Sequence, residues 1–229
     1  AFPFNEGVAV VKNYDRYGMI NKKNREVFPI KWEILTSMND GLLFAGDDNG
    51  LAMFNNKFKQ LTEPVYTQLI GKTDDRILVA RDDKFGYLDP KGHEVIPCQY
   101  ESAGLFYEQR ASVTLNGKTG IIDTEGKIIL PIEYDNSGYR GEAYHYHDGL
   151  ALVEKAGRYG YADRDGNLVV YPCFENAYQF SNGLAPVFMG LWGYIDTKGD
   201  LFIQAGRTLS AVMFGNDAGG APSSLGTTT

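Results

Sequence analysis

Three histidines and two cysteines in 229 residues leave little material for acid–base, nucleophilic or metal chemistry. No serine stands in a strand–turn–helix setting flanked by glycines, and no helical periodicity is evident, which excludes a nucleophile elbow. No glycine-rich loop follows a strand and opens a helix, so a phosphate-cradling nucleotide site is excluded too. Lys and Arg number 22 against 29 Asp and Glu, a net charge of −7 with no basic cluster. Nucleic acid and anionic membrane surfaces, which need concentrated positive charge, are therefore not expected partners. No apolar run approaches the roughly 18 residues of a membrane span. The start, Ala1 Phe2 Pro3 Phe4, has no charged region followed by an apolar one. It also has no initiator methionine, and the expectation is that a signal or another domain was removed upstream or that the chain was trimmed.

What the sequence has in abundance is internal repetition. Aligned on a central glycine, the copies read Tyr17 Gly18 Met19 Ile20 Asn21, Phe85 Gly86 Tyr87 Leu88 Asp89, Thr119 Gly120 Ile121 Ile122 Asp123, Tyr159 Gly160 Tyr161 Ala162 Asp163 and Trp192 Gly193 Tyr194 Ile195 Asp196, with Asn49 Gly50 Leu51 Ala52 as a worn sixth. The glycines fall 32, 36, 34, 40 and 33 residues apart, a period in the range of repeat architectures. Upstream of each lies a short apolar run such as Leu150–Val153. Downstream comes a β-branched run closed by proline, as in Val95 Ile96 Pro97. Each has the length of one strand, so three short strands per repeat are expected. Units are placed at about 4–34, 38–67, 75–101, 106–135, 147–177 and 180–204 within a body spanning 1–214.

The joints carry their own chemistry. Asp89 Pro90 Lys91 Gly92 and its counterparts from Asp123, Asp163 and Asp196 have the residues of a type I turn followed by a bulge. The ring before each glycine is expected to cover the core, and the glycine to admit a close neighbouring backbone or ring. After the proline, a ring and usually an acid recur: Trp32 Glu33, Tyr100 Glu101, Tyr134 Asp135, Phe174 Glu175. These rings read as core and inter-repeat packing. Cys98 and Cys173 both follow the proline of their repeats, where Ile30, Val65 and Ile132 stand elsewhere, so both are expected to be small buried hydrophobes too far apart for a disulfide. They leave the redox compartment open.

Over roughly residues 4–204 these motifs resemble the bacterial WG repeat family, named for its Trp and Gly. The match is strongest in units three, five and six and weakest in unit two. The resemblance implies a tandem all-β array whose members serve mainly in recognition or scaffolding. At three strands in about 35 residues the unit is short for a propeller blade. An open β-solenoid or superhelical array is therefore expected, with a six-bladed closed ring as the alternative. A strand over 208–214 would favour the ring or cap an open edge, and 215–229, rich in Gly, Ala, Ser and Thr, reads as a flexible tail.

One stretch departs from the template: the insert 136–146, which with His147 and Asp148 lengthens the fourth interval to 40. An insertion in one copy of a regular array often marks the binding face. Tyr139, Arg140, Tyr144, His145, Tyr146 and His147 suit recognition of proteins or sugars. His145, His147 and Asp148 form a weak metal candidate that lacks a third convergent ligand beyond the carboxylate. His93 sits at a variable, exposed position. Asp163, Asp165 and Gly166 resemble the opening of a calcium loop, but Leu168, Val169 and Val170 follow where later ligands belong. A glycosidase carboxylate pair is not supported, because four of the aspartates belong to turns. The expected function is a non-catalytic recognition or scaffold module for a protein partner. A carbohydrate or cell-wall binding module is the alternative, and a metal-dependent hydrolase the second. No cofactor is expected. A bacterial envelope, extracellular or periplasmic setting is favoured over the cytoplasm, and the oligomeric state is left open.

Overall fold

The computed structural model describes residues 3–4, 7–37, 41–135 and 146–202. The expected strand over 208–214 and the tail 215–229 lie outside them. The chain divides into two compact units, residues 1–116 with 123–127 and residues 117–122 with 128–229. Both are built from repeated small antiparallel sheets, as an all-β repeat requires.

In the first unit, β1 (Val8–Asn13), β2 (Arg16–Asn21) and β3 (Glu26–Trp32) form one sheet, and β4 (Ile34–Ser37), β5 (Leu43–Asp47) and β6 (Gly50–Phe54) a second. A third runs in chain order through β7 (Gln68–Thr73), β8 (Arg76–Arg81), β9 (Lys84–Leu88) and β10 (Glu94–Tyr100). After it, β11 (Ser102–Ala103) pairs with β12 (Arg110–Leu115). In the second unit, β13 (Lys118–Asp123) pairs with β14 (Ile128–Asp135), while β15 (Tyr146–His147), β16 (Leu150–Lys155), β17 (Arg158–Ala162) and β18 (Leu168–Phe174) continue antiparallel. The last sheet comprises β19 (Asn176–Ala177), β20 (Leu184–Phe188), β21 (Trp192–Asp196) and β22 (Leu201–Phe202). Among the described residues no helix is long and apolar enough to cross a membrane.

From the third copy on, the repeat therefore has four strands, not three. The extra ones, β4, β7, β11, β15 and β19, precede the long hairpin and lack a pattern of their own. Several are two residues long, and pairing to the edge of the next strand defines them.

Cross-strand register corrects the alignment of the second copy. Val11 faces Gly18, Val79 faces Gly86 and Val153 faces Gly160, and in the same place Ala45 faces Ala52. Ala52, not Gly50, is the repeat position, and the intervals become 34, 34, 34, 40 and 33. Gly50 instead faces Asp47 at the end of the β5–β6 hairpin, with φ +130°. The ring that follows the proline confirms the frame: Trp32 faces Tyr17, Tyr66 faces Leu51, Tyr100 faces Phe85, Tyr134 faces Thr119 and Phe174 faces Tyr159.

Nor does proline close the third strand. β3, β10, β14 and β18 run through Pro29, Pro97, Pro131 and Pro172 with register shifts beside them. A bulge tolerates a residue that cannot donate to the ladder. The shifted backbone presses on the repeat glycine. A Cβ on Gly86 would lie 2.6 Å from the Ile96 carbonyl oxygen and 2.6 Å from the Cys98 nitrogen, and one on Gly160 2.5 Å from the Val170 oxygen. In the second copy the third strand shrinks to the bridges Leu51–Tyr66 and Phe54–Gln60, and alanine takes the position. The proline of β18 comes one residue late: Ile96 faces Tyr87 as Val170 faces Tyr161, so Cys98 corresponds to Pro172 and Cys173 to Gln99. The cysteines are thus not equivalent. Both are free and half-buried, and burial pushes each thiol up to about 11.

Among the described residues six turns lead from a second to a third strand, and all use the same device. Asp163 Oδ1 accepts from the amides of Asp165 (2.9 Å) and Asn167 (2.8 Å). Asp89, Asp123 and Asp196 do likewise. So do Asn21 and Asn55, the latter a copy not recognised in the sequence. Partial burial would raise the carboxyls of Asp89 and Asp163, but the hydrogen bonds they accept outweigh it and hold both below the ordinary 3.8. A depressed folded-state pKa contributes stability above the unfolded value and loses it as pH falls through the folded value. Thermal stability should therefore be level near neutrality and decline below about pH 4. Because Asn21 and Asn55 serve the same turn, Asp163→Asn should change stability by less than ~1 kcal/mol at neutral pH and flatten the acid decline. Melting curves across pH check this, and an unchanged acid slope would contradict it.

The core lies between successive sheets. Phe28 packs against Trp32, Phe54 and Phe58 at 5.6, 5.0 and 5.3 Å between centroids. Leu42, Phe44, Met53, Ile77, Val79 and Leu88 make a second layer. In the second unit Tyr161, Val170 and Phe174 pack with Ala185, Val187 and Ile195. The residue after the repeat glycine or alanine is buried in five copies, as Met19, Met53, Tyr87, Ile121 and Tyr161. In the sixth, Tyr194 is 42% exposed.

Candidate functional site

Of the residues read from the insert, Tyr139, Arg140, Tyr144 and His145 lie outside the described residues. Tyr146 and His147 form β15, facing Ala151 and Leu150. Tyr146 is half-buried against the cluster of Ile121, Leu130, Tyr134, Ala151, Val153 and Ala162. Its hydroxyl donates to the Asp163 carbonyl (3.4 Å), and the Arg164 guanidinium stands 5.5 Å from its ring. It belongs to the strand and covers the core, rather than standing free for a ligand.

Asp148 begins a turn at φ +51°, and its Oδ2 accepts from the Gly183 amide at 2.7 Å. Asp74 binds the Gln109 amide in the same way at 2.7 Å, so the carboxylate is a link between successive repeats. His147 Nε2 is buried without a hydrogen-bond partner among the described residues. Among those residues no group of three or more His, Cys, Asp and Glu side chains is placed to hold a metal ion.

A second element of the repeat escaped the sequence reading. The base that opens the second strand pairs with the acid after the ring: Arg16 with Glu33 at 2.7 Å, Arg158 with Glu175 at 3.5 Å, and Lys118 with Asp135. Asp135 also accepts from the Ala156 amide, and Lys118 is the first cause of its lowered carboxyl pKa. The base and the acid lie 17 residues apart in each pair, a spacing that could have revealed them.

In the sixth copy this base is replaced by Leu191, and the hairpin tip changes with it. Elsewhere two residues cross between the strands: Tyr14-Asp15, Asp48-Asn49, Asp82-Asp83, Asn116-Gly117 and Ala156-Gly157. The last three pairs have both residues at positive φ, the geometry of a type I′ turn. In β20–β21, Phe188 faces Trp192, which leaves the three-residue tip Met189 Gly190 Leu191, with Gly190 at φ +74° and the Met189 amide donating to the Leu191 carbonyl at 3.1 Å. Met189 is 43%, Leu191 68% and Trp192 49% exposed. The Trp192 ring lies 5.2 Å from that of Phe188 and 5.8 Å from that of Tyr178. The tip is thus an uncharged patch of aromatic, methionine and leucine side chains. Its sequence signal was the interval of 33 in place of 34.

The pattern of the WG containing repeat matches residues 17–50, 85–118, 120–159 and 159–190. No curated protein matches the chain. Among solved structures, Hsv2p of Kluyveromyces lactis is similar at 8% identity over 86% of this chain and 73% of its own, with a TM-score of 0.37. The AfRom2 CNH domain is similar at 11% identity over 93% and 86%, with a TM-score of 0.34. The sequence pattern, covering more than half of the residues, together with the register that repeats it in space, shows that this chain belongs to the WG containing repeat family.

Proposed function

We propose that this chain is a non-catalytic recognition module that holds a protein partner at the tip of the β20–β21 hairpin. The observation that carries the reading is the replacement, in the sixth copy, of a two-residue turn and the base after it by Met189 Gly190 Leu191 beside Trp192. An apolar patch held in water is unfavourable until something covers it. Tryptophan, tyrosine and methionine are the side chains enriched in the cores of protein interfaces, and methionine adapts to an irregular partner surface. A glycan is the second reading, favoured by the neighbouring Tyr178 and Trp192 rings, tilted by 33°, on which sugar rings stack. The flanking Met189 and Leu191 favour protein. The hydrolase alternative draws no support from Asp148, whose carboxylate serves the Gly183 amide.

The test is capture from an extract of the source cells by the wild-type chain, by Trp192→Ala and by Arg140→Ala, each first shown to be folded. One protein retained stoichiometrically by the wild type is expected, with Kd raised by about thirtyfold or more in Trp192→Ala. Equal affinity of wild type and Trp192→Ala, with loss in Arg140→Ala, would move the site to the insert. Retention of polysaccharide without protein would establish the glycan reading instead.

A further inference from the structure

The turns that lead from second to third strands share their Asx device but not their charge. Those at 89–93, 123–127, 163–167 and 196–200 each hold a single Lys or Arg and at least one carboxylate. The first two differ. Asn21 Lys22 Lys23 Asn24 Arg25 and Asn55 Asn56 Lys57 Phe58 Lys59 carry three and two bases and no acid. The side-chain oxygens of Asn21 and Asn55 accept from the same backbone amides as an aspartate does, at 2.9–3.1 Å. The turn is kept and the negative charge is left out. All five basic side chains belong to exposed residues, and the nearest acid in sequence is Glu26, at the start of β3.

Asn21 and Asn55 are 34 residues apart in the chain, and packing brings their turns together. Such turns lie against the third strand of the copy before. A Cβ on Gly126 would be 3.2 Å from Ile96 Cγ1, and one on Gly199 2.9 Å from Val170 Cγ2. In the second copy Phe58 takes that glycine position at φ +61°, and its ring lies 5.3 Å from that of Phe28, the counterpart of Ile96 and Val170. A bulky residue in the left-handed region is strained, and packing of the ring on Phe28 offsets the strain. Phe58 thereby holds Lys57 and Lys59 beside β3, the strand that Arg25 leads into. Stacked sheets lie about 10 Å apart, a distance that an extended chain crosses in about three residues. We propose that the turns 21–25 and 55–59 form one docking surface for a short, extended acidic segment of a partner protein, whose carboxylates pair with Lys22, Lys23, Arg25, Lys57 and Lys59. A long polyanion would run past these two turns onto a chain whose net charge is −7, whereas a short acidic stretch is spanned by them. Phe58, the one ring in the turns, is engaged with the core rather than offered to a nucleic acid base for stacking. Each exposed pair contributes little alone, and their convergence supplies steering and register. The surface belongs to the first unit and does not depend on the β20–β21 tip.

Fluorescence anisotropy of a labelled hexaglutamate peptide with the full chain tests it. The peptide should bind at low ionic strength, with Kd rising at least ~10-fold between about 20 and 200 mM salt. Asn21→Asp with Asn55→Asp keeps both turns, adds charge beside the bases and should raise Kd ~5-fold or more. Lys22→Ala with Lys23→Ala and Arg25→Ala should raise it at least ~10-fold. Lys91→Ala with Lys127→Ala and Lys198→Ala removes the same charge from other turns and should leave Kd within about twofold. Trp192→Ala should also leave it unchanged, which keeps this outcome separate from that of the proposed function. No binding at low salt would overturn the proposal. So would equal weakening by the two triple variants, which would reduce the effect to net charge, or an unaltered Kd in the Asn→Asp pair. Tighter binding of an oligothymidylate than of hexaglutamate would assign the surface to nucleic acid and overturn the peptide reading.

Discussion

Gly160→Ala is expected to destabilise the protein by at least ~3 kcal/mol, a fall in Tm of roughly 6–12 °C for a chain of this size. The added Cβ would sit 2.5 Å from the Val170 oxygen, 2.7 Å from the Pro172 nitrogen and 2.8 Å from the Tyr171 carbonyl carbon. All three are backbone atoms of the bulged β18. A side-chain tip could swing away, but these atoms can move only by giving up the β17–β18 register that seats Phe174 opposite Tyr159. No positive φ enters the argument, so the penalty is steric alone. Gly157→Ala supplies the comparison: its φ is +70° and nothing lies within 4 Å of the added carbon, so its cost is the ~1 kcal/mol of a strained backbone. Denaturant unfolding of the two variants separates the effects, and equal losses would refute the bulge explanation. Ala52→Gly runs the comparison in reverse. With no bulged third strand there, glycine relieves nothing and should cost ~0.5–1 kcal/mol through backbone entropy.

The same position shows how far the sequence could be read. The period, the hairpins and the aspartate turns were legible because each rests on local chemistry: alternation of apolar residues, and an Asx side chain that binds amides two and four residues on. Register is not local. Gly50 attracted the alignment of the second copy because glycine is conspicuous, but the position demands smallness only where a bulged proline strand presses on it. Where that strand is reduced to two bridges, Ala52 fits and the signal vanishes. The short first strands were missed for a related reason, since two residues such as Ser102–Ala103 become a strand only through the edge they meet. For the site, the insert is the longest departure from the template. Tyr146 proved to be core cover, and the more telling departure was a hairpin shortened by one residue, with leucine where a base belongs.

The buried tyrosines make the second large prediction. Tyr161→Ala should cost ~3–5 kcal/mol, the loss of a large buried aromatic with its cavity, whereas Tyr161→Phe should cost only ~1–2 kcal/mol, the loss of one buried hydrogen bond to the Tyr178 carbonyl. The two substitutions separate packing from hydrogen bonding, because phenylalanine keeps the contact with the Phe180 ring and removes only the donor to the carbonyl at 2.7 Å. Denaturant unfolding measures both. A phenylalanine variant as unstable as the alanine one would mean that the hydroxyl, not the ring, couples this repeat to the next. If neither variant loses stability, the segment carrying Phe180 is not held by Tyr161 at all. In three other copies Met19, Met53 and Ile121 fill the same position as buried side chains with no hydroxyl to donate. Tyr87 and Tyr161 stand where the chain 17 residues on runs through an Ala-x-x-Phe segment that supplies a backbone acceptor. The repeat thus chooses between two ways of joining neighbours, plain packing or packing with one buried hydrogen bond, and a single side chain after the glycine sets which.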